Sequence, residues 1–422
     1  GGLAAALLPA VKNSGAIWVG ASGKTVDYQG RDGLAEIQPH GTGAIATIDM
    51  PEQHYRKFYE GYANSVLWPA LHSRVDLVRP DPSEFSSYRE INAFMARSLL
   101  RFARPDAAFW IHDYHYLTMA EELRRLGIRR PIGFFLHTPF PARTVFLSVP
   151  QHRELARAML AYDLLGFQTQ NDADNFADYV ARELSLPVDE AGVISHPGGM
   201  TRLAAFPIGI DVAAFAEQAM KAAARPDISH LRGSLAGRKL AIGVDRLDYS
   251  KGLPQRLQAI DRLLDLHPQA RKAFSFLQIA VPTRDRIPAY KQLKTEIQAL
   301  VGEINGKHAD VDWTPIRYLN KSFPQAVLAG FYRAAQVGIV TPLQDGMNLV
   351  AKEYVAAQNP LDPGVLVLSE FAGAARQLEA ALLVNPHDLD ATAETIMRAL
   401  SMPLAERRQR WAAMITRMEA SE

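Results

Sequence analysis

Two adjacent patterns between residues 240 and 266 restrict the fold of this chain more than any other part of its sequence. Apolar residues 240–244 predict a buried strand. The next apolar residues recur at the spacing of a helix: Leu253, Leu257, Ile260 and Leu264. Pro254 suits the first turn of that helix, because its missing N–H would have no partner there. A buried strand that leads directly into an amphipathic helix is typical of α/β folds.

The loop between this strand and this helix carries two cations and a glycine. Arg246, Lys251 and Gly252 lie just before or at the predicted amino end of the helix. Because free backbone N–H groups and positive side chains converge there, the loop suits an anion. A basic loop that is only solvated is the alternative interpretation.

A second strand, loop and helix follows further along the chain. Residues 337–342 predict the strand, residues 345–348 (DGMN) a loop with little bulk at Gly346, and residues 349–358 the helix. The backbone of the loop can bind a hydroxyl or phosphate, and Glu353 can accept hydrogen bonds from a ribose diol. A lone carboxylate on a helix is more often a solvated surface charge, so both interpretations of Glu353 stay open.

Residues 364–375 predict a third strand, loop and helix in the same half of the chain. In open α/β sheets, ligands bind outside the carboxyl ends of the strands. Three such units therefore predict a nucleotide-binding site. The Ala-rich stretch 211–232, which Pro226 interrupts, predicts the linker that precedes them.

Composition excludes several classes of protein. The chain has 422 residues, 48% hydrophobic and 22% charged, which is ordinary for a globular protein of two or three domains. The 46 basic and 45 acidic residues leave no charge excess for nucleic acid. Without cysteine the chain has no disulfide, thiolate nucleophile or Cys-based zinc site. No apolar run approaches the roughly 20 residues that span a bilayer, and no signal-peptide pattern opens the chain, so we expect a soluble, cytoplasmic protein.

The first half of the chain offers aromatic and polar candidates. Tyr59 and Trp68 lie around a predicted helix and in its exit loop, and aromatic residues at such a spacing usually belong to the core. Asp113 follows a predicted strand at 107–111, where its carboxylate can bind sugar hydroxyls or cap the next helix. His137 follows the apolar strand 132–136, where a lone His is more often a structural hydrogen-bonding group than a catalyst.

Two further loops follow predicted strands. Residues 16–19 predict a strand that leads to a turn at 20–23 (GASG), which contains Ala21. Arg284 follows a strand that ends at Pro282. Because another arginine and an aspartate stand beside Arg284, a solvated loop is an equally good interpretation of that segment.

Several long motifs together resemble one family. They are VDRLDYSKGLP, DGMNLVAKEYVAAQ, IHDYH, FFLHTPFP, YDLLGFQT and VLWPALH. The chain closely resembles retaining trehalose-6-phosphate synthases, the glycosyltransferases of family 20 that join UDP-glucose to glucose 6-phosphate. The resemblance covers essentially the whole chain, and its motifs are more specific than a glycine-rich fingerprint.

The resemblance implies the GT-B fold, two doubly wound Rossmann-like α/β domains that face each other across a cleft. It places an acceptor-binding domain at 1–222, a nucleotide-sugar-binding domain at 223–400, and a terminal helix at 401–422 that packs back on the first domain. Family members carry a first strand and an Arg-bearing loop before the residue that matches Gly1, so we expect the first domain to lack that strand.

The resemblance also assigns residues to the donor. Arg246 and Lys251 would neutralise the leaving diphosphate, Glu353 would bind the ribose, and His137 would bond the donor glucose as a catalytic residue. Hydroxyls and phosphate of the donor would be held by Asp345, Gly346, Met347, Asn348 and Leu349. No cluster of His and carboxylates with metal-ligand spacing stands near this loop, so we expect neither a metal nor another cofactor.

On the acceptor side, the resemblance assigns Tyr59 and Arg284 to the phosphate, Trp68 to the pocket wall and Asp113 to the sugar as a further catalytic residue. Ala21 stands where the family usually has a Trp near this phosphate, which puts one acceptor contact in doubt. We also expect a homo-oligomer, either a dimer or a tetramer. It should act on small molecules and bind neither nucleic acid nor membrane.

Two other functions are compatible with the sequence. A glucosylglycerol-phosphate synthase of the same family would share the donor loops and differ on the acceptor side. A catalytically silent sugar-nucleotide-binding subunit would regulate a partner, although the presence of Arg246, Lys251, Asp113, His137 and Glu353 argues against it.

Overall fold

The chain forms two compact units, Gly1–Ile208 and Gly209–Glu422. The structure is a computed structural model that describes residues 7–8, 11–27 and 34–421. The observed boundary lies 14 residues before the predicted one at 222/223, because the segment predicted as a linker forms two helices that belong to the second unit.

The described part of the first unit contains two sheets. Its strands are β1 (Ile17–Val26), β2 (Leu34–His40), β3 (Gly43–Pro51), β4 (Phe109–His112), β5 (Ile132–Phe135), β6 (Leu164–Phe167), β7 (Val193–His196) and β8 (Gly199–Ala205). The larger sheet has the order β4-β5-β6-β8-β7 and is parallel except for β7. The smaller sheet has the order β1-β3-β2. The predicted turn at 20–23 is wrong, because β1 continues through Ala21 while it pairs with β3.

Helices connect these strands. They are α1 (Glu52–Arg56), α2 (Trp68–Leu71), α3 (Pro82–Leu99), α4 (Met119–Arg125), α5 (Arg143–Phe146), α6 (His152–Met159) and α7 (Gln170–Tyr179). A π-helical segment, Lys57–Leu67, joins α1 to α2, and a second, Val180–Leu184, extends α7. The first segment bends at Gly61, where a Cβ would lie 2.5 Å from the side chain of Glu84 on α3.

The second unit contains one sheet of six parallel strands. They are β9 (Lys239–Arg246), β10 (Phe274–Val281), β11 (Ile316–Leu319), β12 (Val337–Val340), β13 (Val365–Ser369) and β14 (Leu382–Val384). β9 and β13 are buried almost along their whole length, as is typical of strands covered on both faces. The strands predicted at 240–244 and 337–342 are confirmed.

The described helices of this unit are α8 (Val212–Ala222), α9 (Pro226–Ser234), α10 (Leu253–Leu266), α11 (Pro288–His308), α12 (Gln325–Ala334), α13 (Leu349–Ala357), α14 (Leu389–Ser401) and α15 (Leu404–Glu419). Helix α10 packs against α11 and α14, and α8 packs against α12 and α13. Helix α15 lies against α13 and β13, so its described contacts include other elements of its own unit. Packing of this helix on the first domain stays a prediction.

The helix predicted at the end of residues 364–375, the third strand–loop–helix segment, is wrong. After β13 the chain makes only a short 3₁₀ turn, Gly373–Arg376, before it enters β14. A Cβ on Gly373 would lie 1.9 Å from the carbonyl oxygen of Gly346, so this turn is built to touch the DGMN loop. No local pattern reveals this close approach, so the sequence alone could not predict the turn.

The strand order β11-β10-β9-β12-β13-β14 reverses direction between β9 and β12. From β9 the chain builds the sheet outward through β10 and β11, and then returns to add β12 on the other side. In doubly wound sheets, ligands bind at the carboxyl ends of the two strands that flank such a reversal. The two loops singled out by the sequence follow these two strands.

Candidate active site

An ion pair joins the two loops at the strand-order reversal. Nζ of Lys251, after β9, lies 2.5 Å from Oδ2 of Asp345, after β12. Both side chains are about nine-tenths buried, with 10% and 13% of their surfaces exposed. Two residues predicted separately for the donor therefore form one charged pair at the place where the fold favours a ligand.

The backbone of the first loop closes tightly on β12. Gly252 has a φ of +64°, and a Cβ there would lie 2.4 Å from the carbonyl oxygen of Thr341. Only glycine satisfies both conditions without strain. It also begins α10 directly after Lys251, so the position of this cation is fixed by backbone geometry.

The second loop is held by its own side chains. Nδ2 of Asn348 donates to Oδ2 of Asp345 at 3.0 Å, and its Oδ1 accepts from the backbone N–H of Ala351 at 3.3 Å, which caps α13. Asn348 has a φ of +76°, a conformation that Asn tolerates better than most residues. The carbonyl oxygen of Met347 accepts from the N–H of Ala374 at 2.8 Å. The predicted donor residues Asp345, Gly346, Met347, Asn348 and Leu349 thus lie in one ordered loop.

A buried carboxylate organises the arginines near the first loop. Asp248 is fully buried, and its Oδ2 lies 3.9 Å from Arg246, 3.4 Å from Arg284 and 3.2 Å from the hydroxyl of Tyr290. The Arg246 side chain is 41% exposed and can also face a ligand, whereas that of Arg284 is 5% exposed. Sequence reasoning missed Asp248, because an aspartate in a basic loop has no distinctive spacing.

The placement of Arg284 differs from that of a solvated loop residue. Its φ is +51°, and its guanidinium bonds the hydroxyl of Tyr290 at 2.5 Å besides facing Asp248. A left-handed conformation at a non-glycine residue costs free energy and is often found at functional sites. Contact of Arg284 with an acceptor phosphate stays a prediction, since the described partners of its side chain belong to its own unit.

Arg256 supports the first loop from beneath. This fully buried side chain forms an ion pair with Asp245, and it donates to Thr341 at 2.9 Å, to Gln278 at 2.9 Å and to the carbonyl oxygen of Lys251 at 3.3 Å. A buried ion pair with several hydrogen bonds costs several kcal/mol when one partner is removed. Arg256, on the helix that the sequence predicted, therefore fixes the backbone that carries Lys251.

Glu353 lies on α13, and it is largely buried. Burial raises its pKa to about 7, and the neighbouring Tyr332 acts in the opposite direction. The adjacent Lys352 is buried as well, which lowers its pKa to about 8. This partly buried position does not suit a freely solvated surface charge, and it favours the alternative that Glu353 is a binding group.

In the first unit, Asp113 and His137 are neighbours. Asp113 follows β4 with a φ of +74°, and its Oδ1 accepts from the backbone N–H of His137 at 3.3 Å. The side chain makes no cap bond to the following 3₁₀ turn, so the alternative role of Asp113 as a helix cap is not supported. A carboxylate on a strained backbone at the carboxyl end of a strand instead suits ligand binding.

A second histidine, His112, contacts His137. Nδ1 of His112 lies 3.0 Å from Nε2 of His137, so one of these nitrogens donates and the other accepts. Burial lowers the pKa of His137 to about 4, and burial together with the charge of His137 lowers the pKa of His112 to about 3. The pair is neutral at pH 7. Sequence reasoning missed His112, because a partner one strand away cannot be inferred from one strand alone.

The aromatic candidates lie in different surroundings. Tyr59 is partly exposed in the π-helical segment, where its ring stacks on Tyr55 and His115. Trp68 is 5% exposed at the start of α2, and its ring packs against His72 and Tyr114. Trp68 is thus a core residue by burial, and its contact with an acceptor stays a prediction. Irregular helical segments of this kind frequently lie at functional sites.

Comparison with known proteins decides the family. The model of "Glycosyltransferase family 20" matches residues 1–422. The chain belongs to glycosyltransferase family 20. The resemblance inferred from its motifs is confirmed.

Relatives of this family 20 chain match it over nearly their whole length. A trehalose-6-phosphate synthase of Sinorhizobium fredii is 45% identical over 419 residues, which cover 99% of this chain and 90% of the relative. An α,α-trehalose-phosphate synthase (UDP-forming) of Burkholderia xenovorans in complex with glucose 6-phosphate is 45% identical with a TM-score of 0.97, covering 100% of this chain and 93% of that one. An E. coli structure bound with UDP-2-fluoro glucose is 41% identical with a TM-score of 0.95 over the same shares. These matches, with the parallel sheets described above, confirm the GT-B fold class.

The second unit of this family 20 glycosyltransferase is suited to a leaving group with negative charge. Lys251 and Arg246 bring two positive charges to the loops at the reversal, and preorganised charges of this kind stabilise charge that develops during reaction. Asp345 and Asn348 add groups that can bind sugar hydroxyls. Asp113 and the neutral His137 of the first unit offer an acceptor and a polar ring without a competing positive charge.

One group in the described part of the family 20 chain has metal-ligand spacing. Asp261 and Asp265 on α10 and His308 on α11 have ligand atoms within 4.8 Å of one another. Nζ of Lys307 lies 3.0 and 2.6 Å from the two carboxylates, so one ammonium group already balances half of their charge. No helix among the described residues is long and apolar enough to cross a membrane.

Proposed function

We propose that this chain transfers glucose from UDP-glucose to glucose 6-phosphate with retention at the anomeric carbon, and releases UDP and trehalose 6-phosphate. The observation that carries this proposal is the buried Lys251–Asp345 pair at the strand-order reversal of the second unit. A cation suited to a diphosphate thus lies beside a carboxylate suited to sugar hydroxyls, which supports the proposal. The names and ligands of the relatives described above support the same donor and acceptor.

In this mechanism Arg246 and Lys251 neutralise the charge that builds up on the departing diphosphate. The bond between the anomeric carbon and the phosphate oxygen breaks as the acceptor hydroxyl approaches from the same face. The hydroxyl passes its proton to the departing phosphate oxygen, so no side chain is required as a nucleophile. The new bond therefore has the configuration of the old one.

Other residues position the donor. Asp345 and the backbone from Gly346 to Leu349 bind glucose hydroxyls and phosphate, and Glu353 binds the ribose. His137 bonds the transferred glucose beside the developing positive charge at the anomeric carbon. A neutral ring is suited to that place, because a protonated one would repel the charge.

The acceptor binds Asp113 through its sugar, and Tyr59 and Arg284 through its phosphate, with Trp68 against its pocket. We further propose that the reaction needs neither a metal nor another cofactor, since Lys251 and Arg246 supply the positive charge. The protein acts in the cytoplasm as a homodimer or homotetramer, without nucleic acid or membrane as a partner. Light scattering on the purified chain tests the oligomeric state.

The experiment that tests this function is a coupled assay for UDP release with a panel of acceptors. We expect release with UDP-glucose and glucose 6-phosphate, unchanged after dialysis against EDTA, and little release with glycerol 3-phosphate. Preference for glycerol 3-phosphate would favour the glucosylglycerol-type alternative. Absence of release with every acceptor, despite measurable UDP binding, would favour the silent regulatory subunit.

A further inference from the structure

A basic cavity lies in the second unit, at the edge of the sheet opposite the Lys251–Asp345 pair. Its volume is about 350 Å³. Residues that directly precede three parallel strands line it: Arg238 before β9, Gln336 before β12 and Gly364 before β13. Because parallel strands all run in one direction, this is the amino edge, whereas Lys251 and Asp345 lie after the carboxyl ends.

Four arginines line this cavity, which we name the amino-edge cavity. They are Arg232, Arg238, Arg333 and Arg407, and they come from α9, the segment after α9, α12 and α15. One carboxylate, Asp362, lies among the lining residues, and it is already paired with Arg407 at 2.7 Å. The described lining therefore has a large excess of positive charge.

The arginines differ in how far the protein neutralises them. Arg238 is paired with Asp312 at 2.8 Å, a residue outside the lining that is itself 61% exposed. Within the described part of the chain, no carboxylate lies at ion-pair distance from Arg232 or Arg333. Burial and the positive charge of Arg232 lower the pKa of Arg333. These like charges thus lie close enough to repel each other.

Helix capping explains only part of this arrangement. Arg333 donates to the carbonyl oxygens of Ala357 and Gln358 at 3.0 and 3.2 Å, which neutralises the carboxyl end of α13. Arg232 lies in the last turn of α9, where a cation is also favourable. Capping gives no reason for guanidinium groups of separate helices to converge on one cavity. Binding of an anionic ligand gives such a reason.

The lining also indicates what kind of anion fits. The amide oxygens of Gln336 and Asn359 accept backbone N–H groups at 2.7 and 3.2 Å, which leaves their NH₂ groups as donors. The described lining contains no aromatic side chain on which a nucleobase could stack. The volume is near the lower end of the roughly 300–1,000 Å³ typical of small-molecule sites. These features suit a compact ligand with several phosphate oxygens.

We propose that the amino-edge cavity binds a small phosphate-class polyanion, such as pyrophosphate or a sugar bisphosphate, at a site separate from the donor loops. Guanidinium groups bind phosphate oxygens in pairs of parallel hydrogen bonds, so several arginines around one cavity can hold two phosphate groups at once. Binding there would relieve the repulsion between Arg232 and Arg333.

The test is calorimetric titration of the full chain with inorganic pyrophosphate, and with glucose 1,6-bisphosphate as a second probe. Both are compared with sodium chloride at equal ionic strength. Arg232→Ala should weaken binding at this site roughly ten- to a hundredfold, the scale of a lost charge-assisted hydrogen bond. Arg225→Ala is the matched control, since it removes the same charge at the start of the same helix, where Arg225 is paired with Asp227 outside the lining.

The titrations are repeated in a Lys251→Ala background, which weakens the diphosphate site proposed for the donor. A binding step that survives Lys251→Ala and is lost in Arg232→Ala supports the amino-edge site, whether or not the chain uses UDP-glucose. No binding in this background, or equal affinity in the Arg232→Ala and Arg225→Ala variants, would overturn the proposal. If Arg232→Ala lowers the melting temperature, Arg232→Gln, which keeps more of the side chain, replaces it.

Discussion

The two units prepare for a substrate in opposite electrostatic ways. In the second unit the loops at the strand-order reversal are dense in charge, with Lys251 paired to Asp345 and two arginines facing Asp248. In the first unit the corresponding strand ends carry two neutral histidines and an aspartate in a strained backbone conformation. Charged side chains are thus concentrated in the loops that we propose for the departing diphosphate, whereas the histidine that we propose beside the developing positive charge, His137, is neutral.

The largest effect is expected from the charged side of this comparison. Lys251→Ala and Arg246→Ala should each lower turnover by about two to three orders of magnitude, the usual result of losing one group that stabilises developing charge. Steady-state UDP release measures the loss. Lys221→Ala is the matched control, because Lys221 is exposed and is paired with Glu217 on its own helix. Near wild-type turnover in both active-site variants would remove the catalytic role.

Arg284 tests whether the charged unit also recognises the acceptor. Arg284→Ala should reduce the ratio of kcat/KM for glucose 6-phosphate to that for glucose on the order of ten- to a hundredfold, because only the phosphorylated acceptor loses a contact. The ratio for Arg284→Lys should lie between those of the wild type and of Arg284→Ala, since lysine keeps the charge but loses the planar fork. An unchanged ratio would mean that the phosphate is held elsewhere, and Arg284 would then serve Asp248 and Tyr290 alone.

A smaller effect is expected from Glu353, and its sign depends on what is measured. Glu353→Gln should weaken UDP binding by roughly 1.5–3 kcal/mol while glucose 6-phosphate binding is kept. Calorimetry with each ligand separates the two results. Equal UDP affinity in the variant and the wild type would return Glu353 to a structural role.

The stability of the ligand-free protein should change in the opposite direction. Because burial raises the pKa of Glu353 to about 7, its favourable contribution is complete below its unfolded pKa, near 4.5. The contribution is lost as pH rises through about 7. Glu353→Gln should therefore raise the melting temperature at pH 8 and leave it nearly unchanged at pH 5. A lower melting temperature at pH 8 would show that the carboxylate is stabilised by its surroundings.

The smallest effect on activity is expected from a change of pH, because the two neighbouring histidines of the first unit are neutral. His112 and His137 have pKa values lowered to about 3 and 4, so turnover between pH 5.5 and 8 should show no histidine ionisation near 6.5. Their contribution to stability is complete above the unfolded pKa near 6.5, and it decreases as pH falls toward the folded values. His112→Phe should make thermal stability less dependent on pH between the unfolded pKa near 6.5 and the folded values of about 3 and 4. An activity step near pH 6.5 that His112→Phe abolishes would contradict the neutral pair.

The sequence was most informative where a pattern is local. The strands at 240–244 and 337–342, the helices that follow them and the cations at Arg246 and Lys251 could be predicted, because apolar periodicity and charge are read over a few residues. The Lys251–Asp345 contact could not, since 94 residues separate its partners along the chain. Distant partners likewise hid the roles of Arg256, which contacts Gln278 and Thr341, and of His112, which contacts His137.

Errors in the prediction also follow from tertiary contacts. Residues 20–23 have the composition of a turn, yet pairing with β3 extends the strand through Gly20 and Ala21, and it resumes at Thr25 after a shift of register. Residues 373–376 have helical composition, yet the approach of Gly373 to Gly346 limits them to a single 3₁₀ turn. The positive φ of Asp113 belongs to the same class, because no residue type announces a strained backbone that its surroundings impose.

The Lys251–Asp345 pair has a consequence for the kinetics of turnover. In the ligand-free protein Asp345 already neutralises the cation that the diphosphate needs. In the mechanism proposed above, a departing UDP would therefore be replaced by an internal carboxylate, which would lower the free energy of the product-free state and limit inhibition by product. On this proposal Asp345 would act as a tethered competitor, and an enzyme with Asn at this position should hold its leaving group longer after transfer is complete.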